Sequence, residues 1–207
     1  MDRSTLPAIV LCAALAGCAA MPSRQSPAEA FLAAIATHCG KAYEGRIVAN
    51  APKPATPDAF EGKRLVMHVR GCDDPASRNE IPFHVGGDRS RTWILTRTAG
   101  GLRLKHDHRH EDGTPDATTM YGGDTATPGT AARQEFPVDA DSIATFRREG
   151  LTASLTNTWA MEIHPTVFAY ELARPRGDAN PQPRLFRVEF DLTRPVAPPP
   201  APWGWTE

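Results

Sequence analysis

The sequence has no excess of charge of either sign. Its 23 lysines and arginines stand against 24 aspartates and glutamates, so no basic surplus exists to neutralise phosphates, and nucleic acid is excluded as a partner. There is no Gly-x-Ser-x-Gly elbow to mark a serine hydrolase. His110-Glu111 is not followed by the second histidine of a zinc protease. Glycine pairs at 86–87, 100–101 and 122–123 are followed by no helix start that could hold an anion, so they read as turns between strands. Nor do strands alternate with helices as they do in parallel α/β units. Cysteine is scarce as well, with only Cys12, Cys18, Cys39 and Cys72 in the chain.

What is present begins with an address. The first 18 residues, MDRSTLPAIVLCAALAGC, hold a cation at Arg3 and an apolar stretch from Leu6 to Leu15, and they end in Leu15-Ala16-Gly17-Cys18. That ending resembles the lipobox of bacterial lipoproteins. The resemblance implies that residues 1–17 are a secretory signal removed in the mature form. It also implies that Cys18 carries palmitate-type acyl chains and that 18–25 is a lipidated tether. A spanning helix is the competing reading, because Ser4 to Ser23 is uncharged and long enough to cross; Pro7 and the small residues near its end argue against it. Acyl chains hold a protein on a membrane without a spanning helix. Ala19, where an Asp would favour inner-membrane retention, implies the outer membrane, facing the periplasm. Removal of Cys12 and acylation of Cys18 leave Cys39 and Cys72 in an oxidising compartment. There a Cys39–Cys72 disulfide is expected, two buried free thiols being the alternative.

Ser26-Pro27-Ala28-Glu29 is a helix start with a cap, a first-turn proline and a capping box. Phe31, Leu32, Ile35 and Cys39 recur at three- and four-residue spacing, which predicts a helix over 26–39 ending near Gly40. From 43 onward the pattern is period-two alternation broken by Gly, Pro and Asp, about ten strands in all. Residues 102–111 and 151–165 are among them, and one short helix is inserted at 139–149. The expected domain, 26–192, is mainly β: an antiparallel up-and-down β-barrel, since closure removes exposed edges. The pattern is similar to the calycin group of lipocalin-like proteins. The Gly-x-Trp signature of lipocalins is absent, and Tyr43-Glu44-Gly45 is only a faint echo of it. A two-sheet β-sandwich is the alternative. Residues 193–207 are a Pro-rich tail whose Trp203 and Trp205 either fold back or are left for a partner.

The chemical peculiarity lies in one strand. Leu102, Leu104, His106, His108 and His110 fall on one face, and Arg103, Lys105, Asp107, Arg109 and Glu111 on the other. A face charged at every position is expected in water, so the imidazoles are expected inside. Histidines two apart place their Cβ atoms about 6.8 Å from each other, close enough to share a divalent transition metal such as zinc, copper or iron. A further ligand is needed, with His68, His84, Glu162, His164 and Asp116 as candidates. The plainer reading is a half-wet row at the barrel mouth, each ring hydrogen-bonded to a neighbouring strand. Gly100 followed by His106-Asp107-His108 resembles the opening of the first cupin metal motif. Asp112, however, stands where a Glu is wanted, and no second motif follows. The expectation is a polar concavity lined by His106 and His108, with His110 at its rim. Two functions follow: a membrane lipoprotein whose barrel binds a small molecule or metal ion, or a cell-envelope interaction or structural lipoprotein with no ligand. No motif fixes a reaction or a protein partner.

Overall fold

The computed structural model describes residues 25–53, 56–177 and 183–205. The signal segment 1–17, Cys18 and the tether as far as residue 24 lie outside the described residues. The helix α1 spans Pro27–Ala36, and strands β1 to β7 follow at Ala42–Ala51, Leu65–His68, Arg78–Val85, Asp88–Thr98, Gly101–His108, Tyr121–Asp124 and Arg133–Pro137. A second helix, α2 (Ala140–Arg148), and a 3-10 turn (Thr152–Thr156) precede β8 (Thr158–Ile163), β9 (Val167–Arg174) and β10 (Arg184–Val196). Among the described residues no helix is long and apolar enough to cross a membrane.

All ten strands belong to one sheet in the order β6-β5-β4-β3-β2-β1-β10-β9-β8-β7. Every pairing is antiparallel. The two terminal strands meet, Ile47 opposite Val188, so the meander wraps into a nearly closed barrel, consistent with the calycin-like pattern. Alternation sets inside from outside. In β10, Phe186, Val188, Phe190 and Leu192 are buried while Arg187, Glu189 and Asp191 are partly exposed.

The one break lies between β6 and β7, and it is bridged by the start of α2. The Asp139 N–H donates to the Gly122 carbonyl at 2.9 Å. Gly122 N–H donates to Ser142 Oγ at 2.8 Å, and that hydroxyl donates back to the Gly122 carbonyl at 3.1 Å. A Cβ at position 123 would overlap the Pro137 carbonyl oxygen. The glycine pair 122–123 is therefore not a turn, as its sequence suggested, but a stretch of β6 made bare so that two backbones can close the seam.

Helix α1 shuts one end of the barrel. Ser26 and Glu29 form the capping box, and Phe31, Leu32 and Ile35 are fully buried in the core. Glu29 pairs with Arg97 at the end of β4, and the Cys39–Cys72 disulfide ties the helix exit to the segment after β2. At this end β4 finishes and β5 begins, so the start of β4 and the end of β5 lie at the opposite, open end.

Two strand assignments need correction. Residues 151–156 alternate like a strand but form a 3-10 turn. Their neighbours end too soon, Thr158 already pairing with Pro137 and Ala173, the latter one residue from the end of β9. With no partner strand, the backbone bonds locally, Ser154 N–H to Leu151 O at 2.9 Å. The histidine strand likewise stops at His108, and residues 111–113 turn.

The C-terminal tail folds back over the outside of β2 to β5. Arg89 donates to the Ala201 carbonyl at 3.0 Å, and Trp203 N–H donates to the Arg89 carbonyl at 3.1 Å. Pro198, Pro199 and Pro200 share a hollow with His68 and Arg70, and Gly204 packs on Gly113 and Arg109.

Candidate functional site

At the open end the barrel contains a cavity of about 390 Å³. Its walls are mostly rings. Phe60, Phe83, Trp93 and Tyr170 form a continuous column from mouth to floor, with successive centroids 5.7, 4.8 and 4.5 Å apart and planes within 21° of parallel. Across from it stand Tyr121 of β6, Phe146 of α2 and Trp159 of β8. Trp93 and Trp159 thus belong to the core and line the cavity as well.

β5 delivers His106 and His108 to this space. His106 is buried, and its Nδ1 lies 3.1 Å from the Tyr121 carbonyl oxygen while Nε2 lies 2.8 Å from the Tyr170 hydroxyl. A carbonyl only accepts, so Nδ1 carries the proton and Nε2 accepts the hydroxyl of Tyr170. Burial, aided by neighbouring His108, pushes the His106 pKa down to about 3. The ring also stacks on Tyr121 at 4.6 Å and 12°. His108 is partly buried, its Nε2 3.1 Å from the Tyr121 hydroxyl. Burial and the Arg91 guanidinium lower its pKa to about 4, and burial raises that of Tyr121 to about 12. Both imidazoles are therefore neutral near pH 7, and both are far from the pKa that general-base work there requires.

The rest of the histidine row divides. His110 is mostly exposed and does not line the cavity; its Nε2 is 3.8 Å from Asp116, which does. Asp107 was expected in water with the other charges of its face, yet it is buried and accepts from Arg109 Nε at 2.9 Å and Thr119 Oγ1 at 3.2 Å. The tail at Gly204, lying against Arg109, covers that side of the strand. Of the other candidate ligands, His68 and His84 belong to the outer side of β2 and β3. Glu162 sits in an ion network with Arg133 and Arg187 that lowers its pKa to about 2, and His164 lies beside it at 3.4 Å. Only Asp116 reaches the cavity. Among the described residues no group of three or more His, Cys, Asp or Glu side chains is placed to hold a metal ion. His106, moreover, gives both nitrogens to protein partners.

Charges gather at the mouth in pairs. Arg91 bonds Asp88 at 2.5 Å and lies 5.3 Å over the Phe60 ring. Arg184 bonds Asp58 at 2.8 Å and lies 5.6 Å over Phe186. Asn157, placed between the 3-10 turn and β8, also lines the cavity. It is 5 % exposed, and among the described residues its buried Oδ1 has no hydrogen-bond partner. Asn157, Tyr121 and Tyr170 escaped the sequence reading. Tyr170 alternates with Phe168 on an inward face, which marks it as interior, but its meeting with His106 depends on register around the whole barrel.

The fold and site define an up-and-down β-barrel with an aromatic internal cavity open at one end. No family model matches the chain, and neither the curated proteins nor the solved structures hold a match to it.

Proposed function

We propose that the protein is a lipid-anchored lipoprotein of the outer membrane, facing the periplasm, whose barrel holds a small, largely apolar ligand. The observation that carries the ligand reading is the cavity. At about 390 Å³ it falls within the roughly 300–1,000 Å³ of small-molecule sites, and like them it pairs apolar walls with a few polar groups. The anchor reading rests on the lipobox-like Leu15-Ala16-Gly17-Cys18. Cys18 precedes the cap residue Ser26 by eight positions, at most about 29 Å of chain. Helix α1 closes the end opposite the mouth, so the cavity opens away from the point where the tether joins. The competing reading, an interaction or structural lipoprotein with no ligand, places a partner at the Pro-rich tail or at an outer edge of the barrel. Trp203, however, is engaged by its backbone with Arg89.

The test uses a neutral apolar fluorophore, N-phenyl-1-naphthylamine, with emission from Trp93 and Trp159 as a second readout. The parent should bind it with enhanced emission and tryptophan quenching. The variant Ser154→Trp, filling the cavity from its wall, should lose both. Equal binding by the two proteins, or none by either, puts the interaction-protein reading first. For the anchor, Cys18→Ser should release the protein from membranes; a variant that remains membrane-bound and unprocessed like the parent rejects the lipobox.

A further inference from the structure

We infer that the ligand is a monocation, a protonated amine on a ring-containing body, whose ammonium head is held at the mouth by the Asp116 carboxylate while its rings enter the cavity. The inference rests on the ligand-binding reading above and names its chemical class.

The charges of the mouth do not balance. Arg91 is bonded to Asp88 and Arg184 to Asp58, so each guanidinium already has its carboxylate. Asp116 lines the same cavity, and among the described residues no arginine or lysine pairs with it. His106 and His108 are held neutral, by burial first, and supply no compensating cation. One carboxylate of the lining is therefore left without a guanidinium. An anionic ligand would have to take Arg91 from Asp88 or Arg184 from Asp58, whereas a cationic one finds a carboxylate ready for it.

The backbone sets Asp116 where it can serve. Its N–H donates to the His108 carbonyl at 2.9 Å, which fixes the residue beside the end of β5, where that strand delivers its histidine to the cavity. Oδ1 accepts from Thr118 N–H at 2.7 Å. Oδ2 lies 3.8 Å from Nε2 of the mostly exposed His110, too far for a hydrogen bond, and accepts none among the described residues. The side chain is 40 % exposed, so a ligand reaches it from the mouth. Its charge is felt inside as well: after burial and Arg91, Asp116 acts on both His108 and Tyr121, opposing the fall of one pKa and adding to the rise of the other.

The rings favour the same ligand. The two guanidiniums of the mouth lie over Phe60 and Phe186. Tyr121, partly exposed at the cavity wall, has no cation over its ring among the described residues, and an ammonium is attracted to such a face. Further in, the Phe60–Phe83–Trp93–Tyr170 column receives the apolar body, where an aromatic guest gains from ring pairing beyond its buried area and an alkyl chain gains only the area. A head group kept at the rim also stays partly in water, so the ion avoids the cost of full burial.

The experiment compares 2-naphthylmethylamine, 2-naphthalenemethanol and 2-naphthoate at pH 7 as competitors of the bound fluorophore, using the full mature chain. The three share one ring system and carry a cation, no charge and an anion. The parent should prefer the amine to the alcohol by about fivefold, equivalent to about 1 kcal/mol, and should bind the anion most weakly. Asp116→Asn keeps the side chain's shape and an oxygen for Thr118 N–H. In that variant amine and alcohol should converge to within about twofold while both still bind, since the charge that separates them is gone. Glu111, an exposed carboxylate of the same loop that does not line the cavity, provides the control, and Glu111→Gln should leave the preference unchanged. If the Asp116 variant does not fold, the comparison within the parent stands without it. Equal affinities for amine and alcohol in the parent, a preference that survives Asp116→Asn or falls equally in Glu111→Gln, or tightest binding of the anion each overturn the inference while leaving a ligand-binding barrel. Failure of all three compounds to displace the fluorophore removes the ligand reading itself.

Discussion

The Tyr170 hydroxyl lies 2.8 Å from His106 Nε2, and together with the Tyr121 carbonyl on Nδ1 it fixes a buried, neutral imidazole at the floor of the cavity. The native protein consequently resists protonation there while the unfolded chain does not. His106 is held down at about 3, His108 at about 4 and His84 at about 4, against 6.5 for a free imidazole, with burial the largest cause in each.

The sign of the pH dependence follows. Between about pH 4 and 6.5 the unfolded state binds more protons than the native state, so stability rises with pH across that window and is lost as pH falls through it. Each group contributes a slope of at most about 1.4 kcal/mol per pH unit. Urea midpoints at pH 7, 6 and 5 should fall steeply while most carboxylates are still ionised. His106→Gln should lower the slope by about one proton. A midpoint unchanged between pH 7 and 5 would contradict the neutral assignment.

Reduction of the Cys39–Cys72 bridge tests the closed end. The bond spans 33 residues, and opening it should cost about 3–4 kcal/mol through the added freedom of the unfolded chain. Because the bridge holds the exit of α1, hydrogen exchange should rise most at Phe31, Leu32 and Ile35. Uniform exchange across the barrel on reduction would mean that the helix is not held this way.

Local chemistry made much of this fold readable. The Ser26–Glu29 box set the start of α1, and the alternation of Phe186, Val188, Phe190 and Leu192 set the inner face of β10. The cysteine pairing followed from the expected compartment and agrees with the structure. Long-range facts were not readable in the same way. Asp107 obeys the alternation and still is buried, held by Arg109 and by Thr119 from the segment before β6, and a tail almost a hundred residues later in the sequence lies against that Arg109. Residues 151–156 carry a strand pattern without a strand beside them. Of the histidine row, His106 and His108 reach the cavity and His110 does not, since the chain turns at a point the alternation does not mark.

At the seam, Gly123→Ala should destabilise by about 1–3 kcal/mol, the usual range for overpacking, because its methyl group would meet the Pro137 carbonyl rather than a side chain that can move. Ser142→Ala removes both of the hydroxyl's bonds to Gly122 and leaves the buried Gly122 N–H without that partner, the carbonyl keeping its bond from Asp139 N–H, a loss of about 1–3 kcal/mol. Chemical denaturation of the two variants measures both. Losses below about 0.5 kcal/mol, the size of an ordinary surface change, would mean that the β6–β7 junction is not a closed seam.

The C-terminal tail yields a prediction with two signs. His84 lies on the outer side of β3, 3 % exposed, and its buried Nε2 has no hydrogen-bond partner among the described residues. Its low pKa comes first from burial and then from His68 and Arg89, with Arg70 adding to the fall and Asp88 opposing it. His68 and Arg70 share a hollow with the tail prolines, and Arg89 bonds the tail directly. Ending the chain after Val196 should therefore expose this histidine to water. Stability at pH 7 should drop, since buried contacts are lost. The further loss on acidification should shrink, because His84 would then titrate nearer 6.5 in both folded and unfolded states. Imidazole proton shifts followed from pH 8 to 4 in the two proteins read this directly. Titration of His84 near 4 in the truncated chain as well would show that the sheet itself, and not the tail, keeps water from it.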